Sequence, residues 1–238
     1  MKKGCQCGHC TGDICLHKVP IFSTLSKEDI LKIAELINHK EYKKGEMILF
    51  EGEITDSIII INEGSVKAFK NTPEGREQIL YVFSEGDFFG EQNLLTDRTA
   101  TYSVEALQAV KVCTLSKTQL QKLLYEFPEI AIKIIAELCE RMARLENAMQ
   151  GMGVRNVDNR VGGILLEFAQ KYGTNAKEGI IIRLPLSREG IANYLGVARE
   201  TVSRKLGQLE TDGVIRSISN KSILILNVNA LEEIAGVS

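Results

Sequence analysis

The sequence predicts an α+β chain built as an N-terminal antiparallel β-roll, a long helix and a C-terminal winged helix-turn-helix. Three patterns carry that prediction. From Lys40 to Ser116, brief β-branched and aromatic runs such as Ser57-Ile58-Ile59-Ile60-Ile61 are punctuated by Gly45, Gly52, Gly64, Gly75, Gly86 and Gly90, as regular strands between glycine turns would be. Ile135, Leu138, Met142, Leu145 and Met149 recur at alternating intervals of three and four, which is helical spacing. Between Leu186 and Ile215, two short helical stretches flank Gly196-Val197, the spacing of a helix-turn-helix.

The 238 residues, 44% hydrophobic and 25% charged, suffice to bury a core and divide most naturally into modest domains. The expected division is a cysteine-rich segment (1–18), a β-roll sensor domain (19–116), a dimerisation-helix region (117–152) and a winged helix-turn-helix domain (153–238). No run of about eighteen uncharged apolar residues occurs, and the first twenty residues alternate cysteine, glycine and polar groups where a signal peptide would be apolar. A cytoplasmic protein without membrane contact is expected. The formal net charge is −2, so any nucleic-acid contact must come from a local basic face. An enzyme reading finds no serine-histidine-acid order, Walker loop or metalloprotease helix, and the three histidines sit at 9, 17 and 39.

Taken in order, Ser26 is placed to cap a short amphipathic helix through Asp29-Ile30-Leu31-Lys32-Ile33-Ala34-Glu35-Leu36. The strands of the roll follow. The stripe Ile135, Leu138, Met142, Leu145 and Met149 reads as a short coiled-coil seam flanked by Glu137, Glu140, Arg141 and Arg144, and so as a homodimer interface. The competing reading packs that stripe onto the chain's own roll. Gly151-Met152-Gly153 is expected to end this helix as a hinge, with another helix from Val157 to Tyr172.

Ser187 then caps Arg188 to Leu195, Gly196-Val197 turns the chain, and Ala198 to Glu210 forms the second helix. There Val202, Leu206 and Leu209 fall three or four apart and pack inward, leaving Arg199, Glu200, Ser203 and Arg204 outward near the N-terminal half. Arginine can donate a bidentate pair to guanine, glutamate can accept from the cytosine amino group, and serine adapts to either role. The plain alternative is a solvated helix steadied by Glu200 and Arg204 at i,i+4. Asp212-Gly213, Arg216 to Ser219 and Ser222 to Leu226 around Asn220-Lys221 read as a turn and a two-stranded wing with a basic tip.

Cys5, Cys7, Cys10 and Cys15 crowd the N-terminus, while Cys113 and Cys139 stand alone. In a cytosolic chain such a cluster points to metal or redox chemistry rather than a disulfide framework. Zinc, with His9 or His17 replacing a cysteine, and a reversible disulfide between the N-terminal loop and Cys113 both fit the residue types. Cys139 reads as a small buried hydrophobe off the seam.

The stretch Arg199-Glu200-Thr201-Val202-Ser203-Arg204, the roll and the seam helix together resemble the CRP/FNR transcription regulators over nearly the whole chain. The resemblance implies a cyclic-nucleotide-binding-like roll and a dimer binding double-stranded DNA at an inverted repeat, its half-sites about one helical turn apart. It also implies surface contacts with RNA polymerase. It assigns base contacts to Glu200, Ser203 and Arg204, and places Arg199, Thr201 and the cap Ser187 at the same DNA-binding element. Arg199 resembles the CRP branch and Ser203 the FNR branch, so TGTGA-like and TTGAT-like half-sites are both open. The nucleotide-sensing branch's phosphate stretch is half present: Gly90-Glu91 matches, but Ala100-Thr101 stands where an Arg-Ser or Arg-Thr pair is expected, and Arg98 lies two residues early. The cysteines resemble those of oxygen-sensing FNR proteins. That resemblance implies a [4Fe-4S] cluster on Cys7, Cys10, Cys15 and Cys113, with Cys5 as a spare or substitute.

Overall fold

The structure is a computed structural model that describes residues 19–92, 98–154 and 156–236, apart from the side chains of 144 and 147–154. Two compact units make up the chain. One runs through Lys70 and resumes over Leu80–Arg141; the other comprises Asn71–Ile79 and the chain from Met142 onward.

In the first unit a 3-10 turn over Pro20–Phe22 leads into α1 (Lys27–Ala34), where the Ser26 hydroxyl accepts the Asp29 N–H at 3.2 Å as the cap expected there. The strands follow as β1 (Asn38–Tyr42), β2 (Met47–Leu49), β3 (Ser57–Glu63), β4 (Ser65–Asn71), β5 (Glu77–Ser84), β6 (Phe88–Phe89), β7 (Ser103–Ala106) and β8 (Val110–Ser116). They build two four-stranded sheets, in the orders β1-β8-β3-β6 and β2-β7-β4-β5.

Burial on both faces of the first sheet explains why Ser57 to Ile61 is apolar without alternation. Ile59 and Ile61 point into the roll with Val110, Val112, Phe83 and Phe89. Ile58 and Ile60 point the other way, into a second core shared with Cys113, Leu115, Val19, Phe22, Ile30, Leu120 and Ile130. The turn that closes the roll at Gly90 admits only glycine: its φ is +89°, and an added Cβ would stand 2.9 Å from the Ser57 carbonyl oxygen.

The region expected as one helix is two. α2 (Lys117–Glu126) starts at a capping box in which Ser116 and Gln119 exchange hydrogen bonds. Pro128 then opens α3 (Pro128–Val154), because a proline lacks the N–H that the first turn leaves unpaired. The expected stop at Gly151-Met152-Gly153 is corrected, since α3 runs through it to Val154. Each glycine weakens a helix by only about 1 kcal/mol relative to alanine, and the helix continues through both.

The second unit holds α4 (Val157–Tyr172), β9 (Gly173–Ala176), β10 (Gly179–Arg183), α5 (Arg188–Leu195), α6 (Arg199–Thr211), β11 (Ile215–Ser219), β12 (Ser222–Ile225) and α7 (Val228–Ala235). The expected two-stranded wing belongs to a four-stranded sheet, β11-β12-β10-β9, in which Ile180 pairs with Ile225 and with Asn175. The run Ile180-Ile181-Ile182 supplies the missing strand. α7 packs on α4 where Gly162 lies, and a Cβ there would stand 3.1 Å from the Ala235 nitrogen.

Gly90→Ala is expected to destabilise the protein by more than about 1 kcal/mol, seen as a lower midpoint in urea unfolding, while Gly75→Ala, also at positive φ but with no atom within 4 Å of an added Cβ, should cost less.

Candidate nucleic-acid interface and sensor site

α5 and α6 meet through a turn set by Gly196 in the left-handed conformation at φ 65°. The Ser187 hydroxyl accepts the Gly190 N–H at 3.1 Å, so its oxygen serves as the cap of α5. On α6, Val202, Leu206 and Leu209 are buried as the spacing predicts. Arg199, Glu200 and Arg204 are exposed, and Thr201 and Ser203 are half-buried beside them. These side chains stand in the first two turns, where the helix dipole presents its positive end.

α4 braces both helices. The Arg160 guanidinium donates to the Leu195 carbonyl at 2.9 Å, satisfying one of the orphan acceptors that end α5. Lys205, the cation of α6 that does not face outward with Arg204, pairs with Asp158. At the other end of α6, Glu210 accepts the Ser217 N–H at 2.9 Å and is reached by its hydroxyl at 3.3 Å, tying α6 to the wing strand β11. Arg216 pairs with Glu178 at 2.8 Å across the wing sheet, and the tip residue Lys221 is exposed.

In the first unit Cys113 is 1% exposed. Its neighbour in register is His39 on β1, whose Nδ1 lies 3.5 Å from the Cys113 sulfur. The sulfur belongs to the core that Val19, Ile21 and Phe22 cover. Cys5, Cys7, Cys10 and Cys15 lie outside the described residues. Among the described residues, no group of three or more histidine, cysteine, aspartate or glutamate side chains is placed to hold a metal ion.

The Gly90-Glu91 stretch has a partner that the sequence reading did not foresee. Glu91 is buried, and its Oε1 receives Nη1 of Arg141 at 3.3 Å. Burial pushes the Glu91 carboxyl above its usual range against the pull of Arg141, and burial likewise pushes the neighbouring Tyr102 phenol up. Ala100 is buried, Thr101 donates to Gln92 at 3.1 Å, and Arg98 is exposed. Arg141 is thus corrected from a flank of the seam to a buried group of the roll. Along α3, Ile132, Ile135, Met142 and Leu145 are exposed, whereas Leu138 is half-buried against the helical core. The Met149 side chain lies outside the described residues. Cys139, expected to be buried, is exposed.

The profile of a cyclic nucleotide-binding domain matches residues 39–126, and that of a Crp-like helix-turn-helix domain matches residues 159–234. The probable transcriptional regulator flp of Lacticaseibacillus casei is 30% identical over 221 residues, 93% of this chain and 98% of that protein. The chain belongs to the CRP/FNR family of transcription regulators. Another relative in the family, a CRP-like cAMP-activated global transcriptional regulator of Mycobacterium tuberculosis, is 29% identical over 90% of this chain and 95% of its own length. The structure of FixK2 from Bradyrhizobium japonicum matches with a TM-score of 0.75 and 28% identity, covering 83% of this chain and 96% of that one. As a CRP/FNR regulator the protein binds DNA through its helix-turn-helix. No described helix is long and apolar enough to cross a membrane.

Sequence reasoning found the outward set on α6 because helical spacing separates it from the buried stripe. It missed His39, Arg141 and Arg160, each of which acts across a long sequence separation. A weak signal existed for Arg160, a cation in the first turn of a helix, where the dipole disfavours it unless another partner holds it.

Arg160→Met should leave the end of α5 without its donor. The expected loss is about 1–3 kcal/mol, measured as a shift of the urea midpoint, with helix content retained below the transition.

Proposed function

We propose that this CRP/FNR regulator is a cytoplasmic homodimer that senses oxygen or redox state through a [4Fe-4S] cluster on Cys7, Cys10, Cys15 and Cys113, with Cys5 as the substitute ligand. The observation that carries the reading is the side of the sheet on which Cys113 lies. Its sulfur belongs to the core covered by Val19–Phe22, the element that directly follows the cysteine segment. Cys15 is four residues before Val19, a span of at most about 14 Å. One buried thiol next to the root of a segment bearing four more, three of them needed as ligands, suits the four-thiolate set that such a cluster requires. When bound, the cluster supplies an oxygen-labile redox centre. The chain's own part is to keep Cys113 out of water and to transmit a change at Val19–Phe22 to the helices packed on the same core.

On the DNA side, Arg199, Glu200, Thr201, Ser203 and Arg204 read base edges in the major groove, and the Ser187-capped α5 sets α6 in place. The exposed Ile135, Met142 and Leu145, with Leu138 at their edge and Met149 beyond, form the seam between two copies. A two-fold pair then reads an inverted repeat. Contacts with RNA polymerase follow from the family's role in transcription.

A second reading has its own support: His39 Nδ1 stands 3.5 Å from the Cys113 sulfur, close enough to take up the proton that thiol-disulfide chemistry releases. A reversible disulfide between Cys113 and the N-terminal segment would then be the switch.

Anaerobic purification with iron, sulfide and zinc quantitation separates these readings. About four irons per protomer, with a visible band that bleaches in air and is lost in Cys113→Ser, is the expected result. Zinc alone, or an iron-free protein that traps a Cys113 disulfide on oxidation, would replace the cluster reading and leave DNA binding standing. Arg204→Ala is expected to lose about 1–3 kcal/mol of discrimination at one base pair of each half-site, read by fluorescence anisotropy against a set of single-base operator variants.

A further inference from the structure

Arg141 is 6% exposed, an unusual state for an arginine, which is almost never fully buried unless its charge is paired. Every part of its guanidinium is engaged. Nε donates to Glu137 at 3.2 Å, Nη1 to Glu91 at 3.3 Å, and Nη2 to the Phe88 carbonyl at 2.8 Å. The rings of Phe88 and Phe83 lie 4.5 Å and 5.0 Å from its central carbon. Four of these five contacts come from the roll, at Phe83, Phe88 and Glu91, and one from the helix itself. Arg141 is also the last residue of α3 that belongs to the first unit.

A buried ion pair adds little stability over apolar residues of the same volume, because the desolvation of both charges offsets their attraction. What it does supply is direction. A planar fork held at three points against two rings has one position, and moving α3 by a single residue would translate it about 1.5 Å and rotate it about 100°, breaking both hydrogen bonds to the roll at once. The same contacts occupy Glu91. Its Oε1 is taken by Arg141, and its Oε2 is buried without a protein partner. Ala100 is buried and Thr101 is turned to Gln92, so neither brings a charge to this carboxylate.

We propose that Arg141 is a positioning residue that pins α3 to the β-roll through Glu91 and Phe88, so that this domain sets the register of its long helix without a bound nucleotide. The pin fixes which side chains of this part of α3 are offered outward, Ile132 and Ile135 among them. The sensing segment at the N-terminus therefore acts on a helix already held in one register.

The test uses the full chain, with hydrogen exchange of residues 128–141 and affinity for a duplex selected from a random pool as readouts. Arg141→Gln and Glu91→Gln are each expected to speed exchange in this segment and weaken duplex binding about tenfold. The double variant Glu91→Met with Arg141→Met should regain thermal stability, since apolar replacement of both partners removes the buried charge, yet keep the weakened binding because the directional contacts are gone. Binding restored to within about twofold of the unmodified protein in that folded variant would reduce the pair to a structural role and overturn the proposal. Should the double variant not fold, Arg141→Lys decides: it keeps the charge but not the fork, so weakened binding supports the pin and unchanged binding overturns it. Cyclic AMP or cyclic GMP is expected to leave exchange in 128–141 unchanged, and protection of this segment by either would also overturn it. If the unmodified protein selects no duplex, the assignment to DNA fails, while the exchange measurements still decide the pin.

Discussion

Strands β3 and β8 pair antiparallel from Ser57 opposite Ser116 to Glu63 opposite Lys111, and the rest of the first unit is arranged about that ladder. Residues directly opposite one another in such a pair share a face. Ile58 with Leu115 and Ile60 with Cys113 face the helical core, and Ile61 with Val112 faces the roll. A slip of one residue would exchange the two sets, sending Cys113 into the roll and a valine toward Val19–Phe22. Both faces are buried, so both cores oppose that slip. The position of the only described buried cysteine is therefore a consequence of strand register, fixed by isoleucines on the neighbouring strand.

The same ladder explains what the sequence revealed and what it concealed. Strand runs, glycine turns, the Ser26 and Ser187 caps and the inward stripe of α6 are local patterns, and each appears where the spacing places it. Arg141 reads in the sequence as one of four charged residues flanking the seam, and Glu137 four residues earlier offers it an ordinary helical pair. Only the approach of Phe83, Phe88 and Glu91, some fifty residues away in sequence, converts that pair into a buried cluster. His39 beside Cys113 is set by the register of β1 on β8, which a strand of five residues with no apolar alternation does not announce. The run Ile180-Ile181-Ile182 was legible as a strand in principle, but its pairing with β12 depends on a chain that returns after two intervening helices.

The two units use charge differently. In the first, polar groups are drawn inward at one point, around Arg141, where apolar surroundings make their geometry strict. In the second, charged groups near the surface fasten elements to one another: Arg160 holds the end of α5, Asp158 holds Lys205, and Glu210 holds the wing strand. The Lys205–Asp158 ion pair contributes little stability by itself, yet each of these contacts removes a charged or polar group from competition with the outward face of α6.

That removal bears on how a chain with net charge −2 presents the surface proposed to read DNA. Lys205 lies on the same helix as Arg199 and Arg204, but its ammonium is neutralised by Asp158 on α4. Arg216 is paired with Glu178. The exposed N-terminal half of α6 retains Arg199 and Arg204 with Glu200 between them, a set with two donors and one acceptor rather than a uniform positive patch. A uniform patch would bind any phosphate backbone and lose affinity steeply with salt. Mixed donors and acceptors at the start of a helix bring less of that unselective attraction and more dependence on the base edges they meet. The modest overall charge thus fits the proposed reading of base edges, in which selectivity rests on the placement of a few side chains that the braces of α4 and the wing hold in position.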